Sequence, residues 1–233
     1  MKRVFAILAA SCAVPAAAQS QTVIEEWVVI ESSATRATSS TALEESSTIA
    51  AYGPFRVVDE RTAALVGVTD ARSPAHFVAM LEAFPAIDTL DFVEAPGTHD
   101  DRANLELGRA IRERGLATRA GEGGSVRSGA VELFLAGTTR EIAPGSEFAV
   151  HGWLDDWGRG AEDYPADAPE HRRYLEYYME MGMDEAHASR FYAMTNSVPF
   201  EDARWLTGAQ MLDWLDEKPA KRIAKLDSVP VLQ

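Results

Sequence analysis

Between Phe55 and His151 the chain alternates strand-like and helix-like segments, and this alternation restricts the fold more than any other feature. Phe55 to Val58 and Ala63 to Val68 read as short strands. Ser73-Pro74 reads as a helix start, with Ser as the cap and Pro at the first helical position. That helix carries Phe77, Met80, Leu81 and Phe84 at helical spacing. Thr89 to Val93 is a buried strand, and Asp100 or Asp101 caps a helix that stops at Gly115. Leu116 to Ala120 is a further strand. A glycine-rich loop then leads into a helix over about Ser128 to Ala136, and Pro144-Gly145 turns into a strand ending at His151. Strands separated by helices require parallel βαβ crossovers, with helices packed on a sheet. Beyond His151 the pattern is mainly helical, over Glu170 to Met181, Asp184 to Met194 and Thr207 to Leu215. The last of these opens on a capping box, Thr207 with Gln210. The expected class is α/β with a helical C-terminal part.

The first 51 residues differ from the rest. Met1-Lys2-Arg3, the apolar run Val4 to Val14 and the small residues Pro15 to Ala18 read as a secretory signal over 1–18, cut after Ala18. The run is too short to span a bilayer. Cys12 raises lipoprotein anchoring as an alternative. Cleavage removes Cys12, the single cysteine, and with it any disulfide, thiol nucleophile or Cys-based metal site. Residues 19–51 read as a Ser/Thr-rich linker, with one short strand over Thr22 to Ile30. Residues 52–233 form the folded domain. The expected destination is periplasmic or secreted, with no integral membrane segment after cleavage.

The net charge of −14 repels nucleic acid and anionic lipid, and no basic patch offsets it. Chemistry is therefore sought at the sheet edge where strands end and helices begin. Three segments meet the requirement: Ala95 to Thr98, Val126 to Ala130, and Ala149 to His151. Ser128 opens a helix, where unpartnered backbone N–H groups and the helix dipole favour negative charge. The Gly129 N–H lies beside it as an oxyanion donor. His151 follows across a helix and a return strand, a spacing that lets an imidazole serve as the base a serine hydroxyl needs. The same residues also fit a plain N-cap and a structural histidine.

From about Ala63 to Leu215 the order of segments resembles the ClpP/crotonase superfamily, in particular its ClpP-like exported bacterial proteins. Thr89 to Gly97 resembles the strand and turn that end in Ser-Pro-Gly-Gly, and Gly108 to Thr118 the helix and strand that follow. Ser128 with Phe134-Leu-Ala-Gly137 resembles the nucleophile helix. Arg140 to Gly145 and Phe148 to His151 resemble the strand carrying the histidine, and Tyr174 to Met183 with Trp205-Leu206-Thr207 the helical tail. The resemblance implies a βαβ spiral sheet and an acyl-enzyme serine hydrolase, a peptidase working without ATP, metal or other cofactor. Ser128 would be the nucleophile, His151 the base, Asp202 the orienting acid with Glu201 as the alternative, and the N–H groups of Gly129 and Thr98 the oxyanion donors. A peptide or protein would be the substrate, and a homo-oligomer the assembly. The alternative is an inactive member of the fold that binds a peptide or protein.

The chain departs from that pattern at the site. Gly97-Thr98-His99-Asp100 stands where the family has Gly-Gly-Ser-Val, and Arg127 replaces a small residue before the serine, where it would occlude the site or bind a carboxylate. Asp100 and Asp101 would bring negative charge to an anion site. Gly123-Gly124-Ser125-Val126 reproduces the missing motif one loop later, which makes Ser125 a rival nucleophile. Met179, Met181, Met183 and His187 have the ligand types for Cu(I), but helical spacing puts 179 and 183 on one face and 181 on another. His99-Asp100-Asp101 is a candidate cation site and equally a loop cap.

Overall fold

The computed structural model describes residues 48–216. The signal segment, the strand expected over Thr22 to Ile30 and Cys12 lie outside the described residues. Two sheets make up the fold. The first has six strands in the order β1 (Ala50–Tyr52), β2 (Phe55–Val57), β3 (Thr62–Leu65), β4 (Thr89–Phe92), β6 (Ala117–Ala120), β8 (Thr139–Ile142). The second has four, in the order β10 (Arg204–Thr207), β9 (Glu147–Val150), β7 (Ser125–Arg127), β5 (Glu94–Ala95). Strand β1 includes Ala50 and Ala51, which composition assigns to the linker.

The chain winds between the sheets as a spiral. Strand β4 runs in the first sheet, and after Val93 the same segment enters the second as β5; β6 leads into β7 and β8 into β9 in the same way. Helix α2 (Asp101–Arg114) returns the chain from β5 to β6, and α3 (Ala130–Leu135) from β7 to β8. The crossovers leave β3, β4, β6 and β8 parallel in one sheet and β5, β7 and β9 parallel in the other. The antiparallel pairs are β1–β2, β2–β3 and β9–β10, each toward one end of its sheet. Helices α1 (Ser73–Ala83), α4 (Pro169–Glu180), α5 (Glu185–Thr195) and α6 (Gly208–Leu215) complete the fold. No helix among the described residues is long and apolar enough to cross a membrane.

Burial explains why the spiral closes. Every residue of α3 is buried, as a helix packed on all sides requires. Its Phe134 meets Phe92 of β4 and Phe148 of β9 edge-to-face, with ring centroids 5.4 and 5.2 Å apart. One ring therefore joins three turns of the spiral.

Local signals fix most boundaries. Asp100 caps α2 by accepting from the Ala103 N–H, and Gly115 ends it in the left-handed conformation, φ 75°. The Thr207–Gln210 capping box opens α6. Replacing Thr207 with Ala is expected to cost about 1 kcal/mol of stability, readable as a lower urea midpoint with unchanged slope. One cap differs from its expectation. Ser73 is the first helical residue and Arg72 the cap position, because the Ser73 hydroxyl is drawn back to the Asp70 N–H and carboxylate. The helix expected to begin at Ser128 begins instead at Ala130, since Ser128 has φ 50° and cannot join it. Strands β5, β7, β8 and β10 are two to four residues long and carry no alternating pattern of their own.

Candidate active site

In the second sheet β7 lies between β9 and β5, all three parallel. Their carboxyl ends therefore deliver three loops side by side, with Ser128 after the middle strand, His151 after β9, and Gly97-Thr98 after β5. Ser128 is the one non-glycine residue of positive φ among the described residues. Such a conformation costs about 1–3 kcal/mol and persists only where the surroundings impose it. Here the Ser128 N–H donates to the Ala149 carbonyl of β9, and the Ser128 carbonyl accepts from the Val131 N–H of α3. The side chain is left half-buried, with its hydroxyl in no hydrogen bond among the described residues.

The neighbouring loop is shaped to meet it. Gly97 has φ 129°, and a Cβ there would lie 2.9 Å from Ser128 Cβ and 3.3 Å from Oγ. Only glycine satisfies both the backbone and the contact. A Cβ at Gly129 would lie 2.6 Å from Thr98 Cγ2, so the two expected oxyanion donors are adjacent residues in space. The flanking N–H groups of Ser128 and His99 are taken, by Ala149 and Thr69 respectively. Those of Thr98 and Gly129 donate to nothing among the described residues. Asn104 holds this junction: it accepts from the Thr69 hydroxyl at 2.9 Å and donates to the Gly129 carbonyl at 2.6 Å.

His151 and Ser128 line the same two spaces. One is a small cavity of about 40 Å³ bounded also by Asp101, Glu132, Trp153, Tyr178 and Asn196; the other is an open cleft of about 680 Å³. His151 Nδ1 lies 2.9 Å from the Gly152 carbonyl. A carbonyl only accepts, so Nδ1 carries the proton and Nε2 of the neutral ring keeps the lone pair. Phe200 packs edge-to-face on the imidazole at 4.8 Å. Ser128 and His151 are not hydrogen-bonded to each other.

Asp202 stands apart. It is exposed in the turn before β10, lines neither space, and its backbone N–H donates to Pro199. Glu201 is exposed beside it. Neither carboxylate bonds to His151. Of the two expectations for Arg127, occlusion of the site is not met, and the carboxylate it binds is that of Glu94. Arg127 is buried, donating to the Ser125 hydroxyl at 2.6 Å and ion-paired with Glu94, so it is turned along β7 and away from the cavity. The same contact ties up Ser125, which lines neither space. Asp100 is engaged as the α2 cap, whereas Asp101 does border the cavity and accepts from the Tyr174 hydroxyl at 2.6 Å. His187 is bound to the Trp214 carbonyl, and Met181 and Met183 are core residues.

Glu132, Asn196 and Trp153 are among the cavity residues that sequence reasoning passed over. Glu132 lies one helical turn beyond Ser128 and is buried. Burial pushes its carboxyl up to about 7, against the Tyr178 hydroxyl that donates to it at 2.7 Å, and the charge of Asp101 adds to the rise. A charged residue in an otherwise apolar helix, AVELFL, was the signal. Asn196 Oδ1 is buried without a donor, while its Nδ2 donates to the Tyr192 carbonyl. Trp153 donates to the Tyr192 hydroxyl and forms one wall. Nothing local marks these last two.

No family model and no curated protein matches the sequence. Two solved structures are similar to part of the chain. A ClpP1 mutant from Listeria monocytogenes is 17% identical, with a TM-score of 0.44, over 67% of this chain and 88% of that one. A membrane-bound stomatin-specific protease mutant, in complex with a substrate peptide, is 13% identical, with a TM-score of 0.43, over 68% of this chain and 74% of that one. Each of these similarities covers about two thirds of the chain.

Proposed function

We propose that the protein is an exported serine hydrolase, an ATP-independent peptidase working through an acyl-enzyme on Ser128. One observation carries the reading: a strained serine with a free hydroxyl lies between a histidine and two unused backbone N–H donors. A backbone outlier at the turn from strand to helix exposes an Oγ in the manner of a nucleophile elbow. His151, with Nε2 as the basic nitrogen, would take the Ser128 proton as the hydroxyl attacks an acyl carbon, and would return it to the leaving amine. The N–H groups of Gly129 and Thr98 would receive the developing oxyanion. The Gly152 carbonyl would hold the imidazole in its tautomer, the task the resemblance gives to Asp202. The periplasmic or secreted destination rests on the N-terminal sequence, and a homo-oligomer on the resemblance.

A second reading, a catalytically inactive peptide- or protein-binding module, is favoured by the missing hydrogen bond between Ser128 and His151 and by the position of Asp202. A fluorophosphonate probe separates the two, because it phosphonylates only a serine activated by its surroundings. Labelling mapped to Ser128 on the full-length protein is the expected result. Folded protein that takes no label would sink the hydrolase reading in favour of the binding module.

A further inference from the structure

The cleft beside Ser128 contains two arginines with no hydrogen-bond or ion-pair partner among the described residues. Every other arginine among the described residues has a partner, from exposed pairs such as Arg109–Glu180 to the buried Arg127–Glu94 and Arg140 with the Leu135 and Met181 carbonyls. Arg102 and Arg173 alone make neither a hydrogen bond nor an ion pair, and both line the cleft. The described residues contain no lysine, so these are their two unpaired permanent cations. In a chain of net charge −14, with carboxylates on the same cleft wall, that arrangement is not what chance pairing would leave.

Arg173 is also held in place. Its guanidinium carbon lies 4.9 Å from the Tyr174 ring centroid and 5.5 Å from that of Trp153, two rings stacked on each other at 21°. Nε is buried with no acceptor. A guanidinium lying over ring faces loses rotamer freedom before any ligand arrives, and no acceptor among the described residues meets its in-plane N–H groups. That edge matches the two oxygens of a carboxylate. The nearby acids do not fill it: Asp155 is bound to Arg159 and Tyr164, Asp101 to Tyr174 and Asp100 to the α2 N-terminus, and neither Asp156 nor Glu170 is hydrogen-bonded or ion-paired to Arg173. Trp153 borders the small cavity as well, so the arginine lies on the wall between that cavity and the cleft, both of which reach Ser128 and His151.

The geometry points to Arg173, assisted by Arg102, as the receptor for a carboxylate of a peptide lying in the cleft, either its C-terminus or an acidic side chain. This deepens the hydrolase reading and rests on it for the identity of the ligand as a substrate. A singly charged carboxylate suits the cleft better than a phosphate, because Asp100, Asp101, Asp155, Asp156 and Glu170 line the same space and repel a doubly charged group more strongly.

The test is fluorescence anisotropy on full-length protein carrying Ser128→Ala, which cannot turn over ligand. The probes are three labelled oligo-alanine peptides: one with a free C-terminal carboxylate, its C-terminal amide, and the amide with one internal Asp. The free acid or the Asp peptide is expected to bind about tenfold tighter than the plain amide, and which of the two does so identifies the source of the carboxylate. Adding Arg173→Met is expected to bring that peptide down to the level of the amide, while Arg173→Lys keeps part of the difference and weakens faster with salt. Equal binding of all three peptides, or no binding of either acid at millimolar concentration, overturns the proposal without reference to any arginine variant. Carboxylate preference in a protein whose Ser128 takes no fluorophosphonate sinks the hydrolase reading alone. Labelling without the preference sinks this inference alone.

Discussion

Replacing Ser128 with Ala is expected to abolish fluorophosphonate labelling and to lower peptide hydrolysis by at least about a thousandfold, and His151→Ala by a similar factor. The two losses should not add, since a nucleophile and its base act as a unit. A pair of independent surface residues would give additive, small effects. The structure also separates two versions of the mechanism. If the Gly152 carbonyl is what orients His151, Asp202→Asn changes kcat/KM by no more than about threefold, because the exposed carboxylate touches nothing at the site. A loss of about a thousandfold on Asp202→Asn would instead mean that the turn before β10 closes onto His151 during turnover. Both substitutions are to be read beside thermal unfolding. The left-handed backbone at Ser128 is retained by the Ala variant at no lower cost, so a large change in fold stability would argue for a structural role.

The second large effect concerns Glu132. Burial lifts its carboxyl from 4.5 to about 7 in the folded protein, and the unfolded chain returns it to the ordinary value. Below about pH 4.5 both states hold the proton and the group is neutral in the balance. Between 4.5 and 7 the unfolded state releases the proton while the folded state retains it, so stability falls as pH rises. Above 7 the loss levels off at about 3 kcal/mol. Glu132→Gln removes the titration and keeps an acceptor for the Tyr178 hydroxyl. The variant is therefore expected to match the parent near pH 4 and to exceed it by about 3 kcal/mol at pH 8. Denaturant unfolding at both pH values reads this directly. A difference that stays constant from pH 4 to pH 8 would mean that Glu132 does not hold its proton on folding. Asp101 and Tyr174, Tyr177 and Tyr178 surround the group, and burial raises the tyrosine hydroxyls well above their ordinary range, so none of those hydroxyls titrates in this window.

A destabilising carboxyl behind the candidate nucleophile needs a physical reason for its place. Helix α3 is buried on every side, so any polar residue in it must face a cavity or a partner, and Glu132 does both. Its backbone carbonyl also accepts from the Tyr177 hydroxyl, which ties α4 to α3 through two tyrosines at one residue. The charge balance of the small cavity is thus set by the element that positions Ser128.

The alternation of strands and helices was legible because each of those elements carries its own signal. Leu90 and Phe92 point one way from β4, Leu107 and Ile111 share a face of α2, and Asp100, Gly115 and Thr207 punctuate helix ends through contacts within a few residues. Ser128 and His151 each follow a strand, β7 and β9, in a spiral whose order the sequence displays. Asp202 was not placed correctly at the cavity by counting along the chain, since a short turn and a strand of four residues leave its direction to packing. Arg127 was expected at the site because it precedes Ser128, but the two-residue period of β7 sends it to Glu94.

By itself the sequence determined the α/β class, the parallel crossovers and the helix ends at Asp100, Gly115 and Thr207, because local periodicity and capping act over a few residues. Tertiary structure alone decided that the chain divides between two sheets, that Ser128 lies between His151 and Thr98, that Glu132 is buried, and that Arg173 is left without an acid. Those outcomes depend on which segments far apart in the chain are packed together, and no local pattern encodes the pairing of β5, β7, β9 and β10.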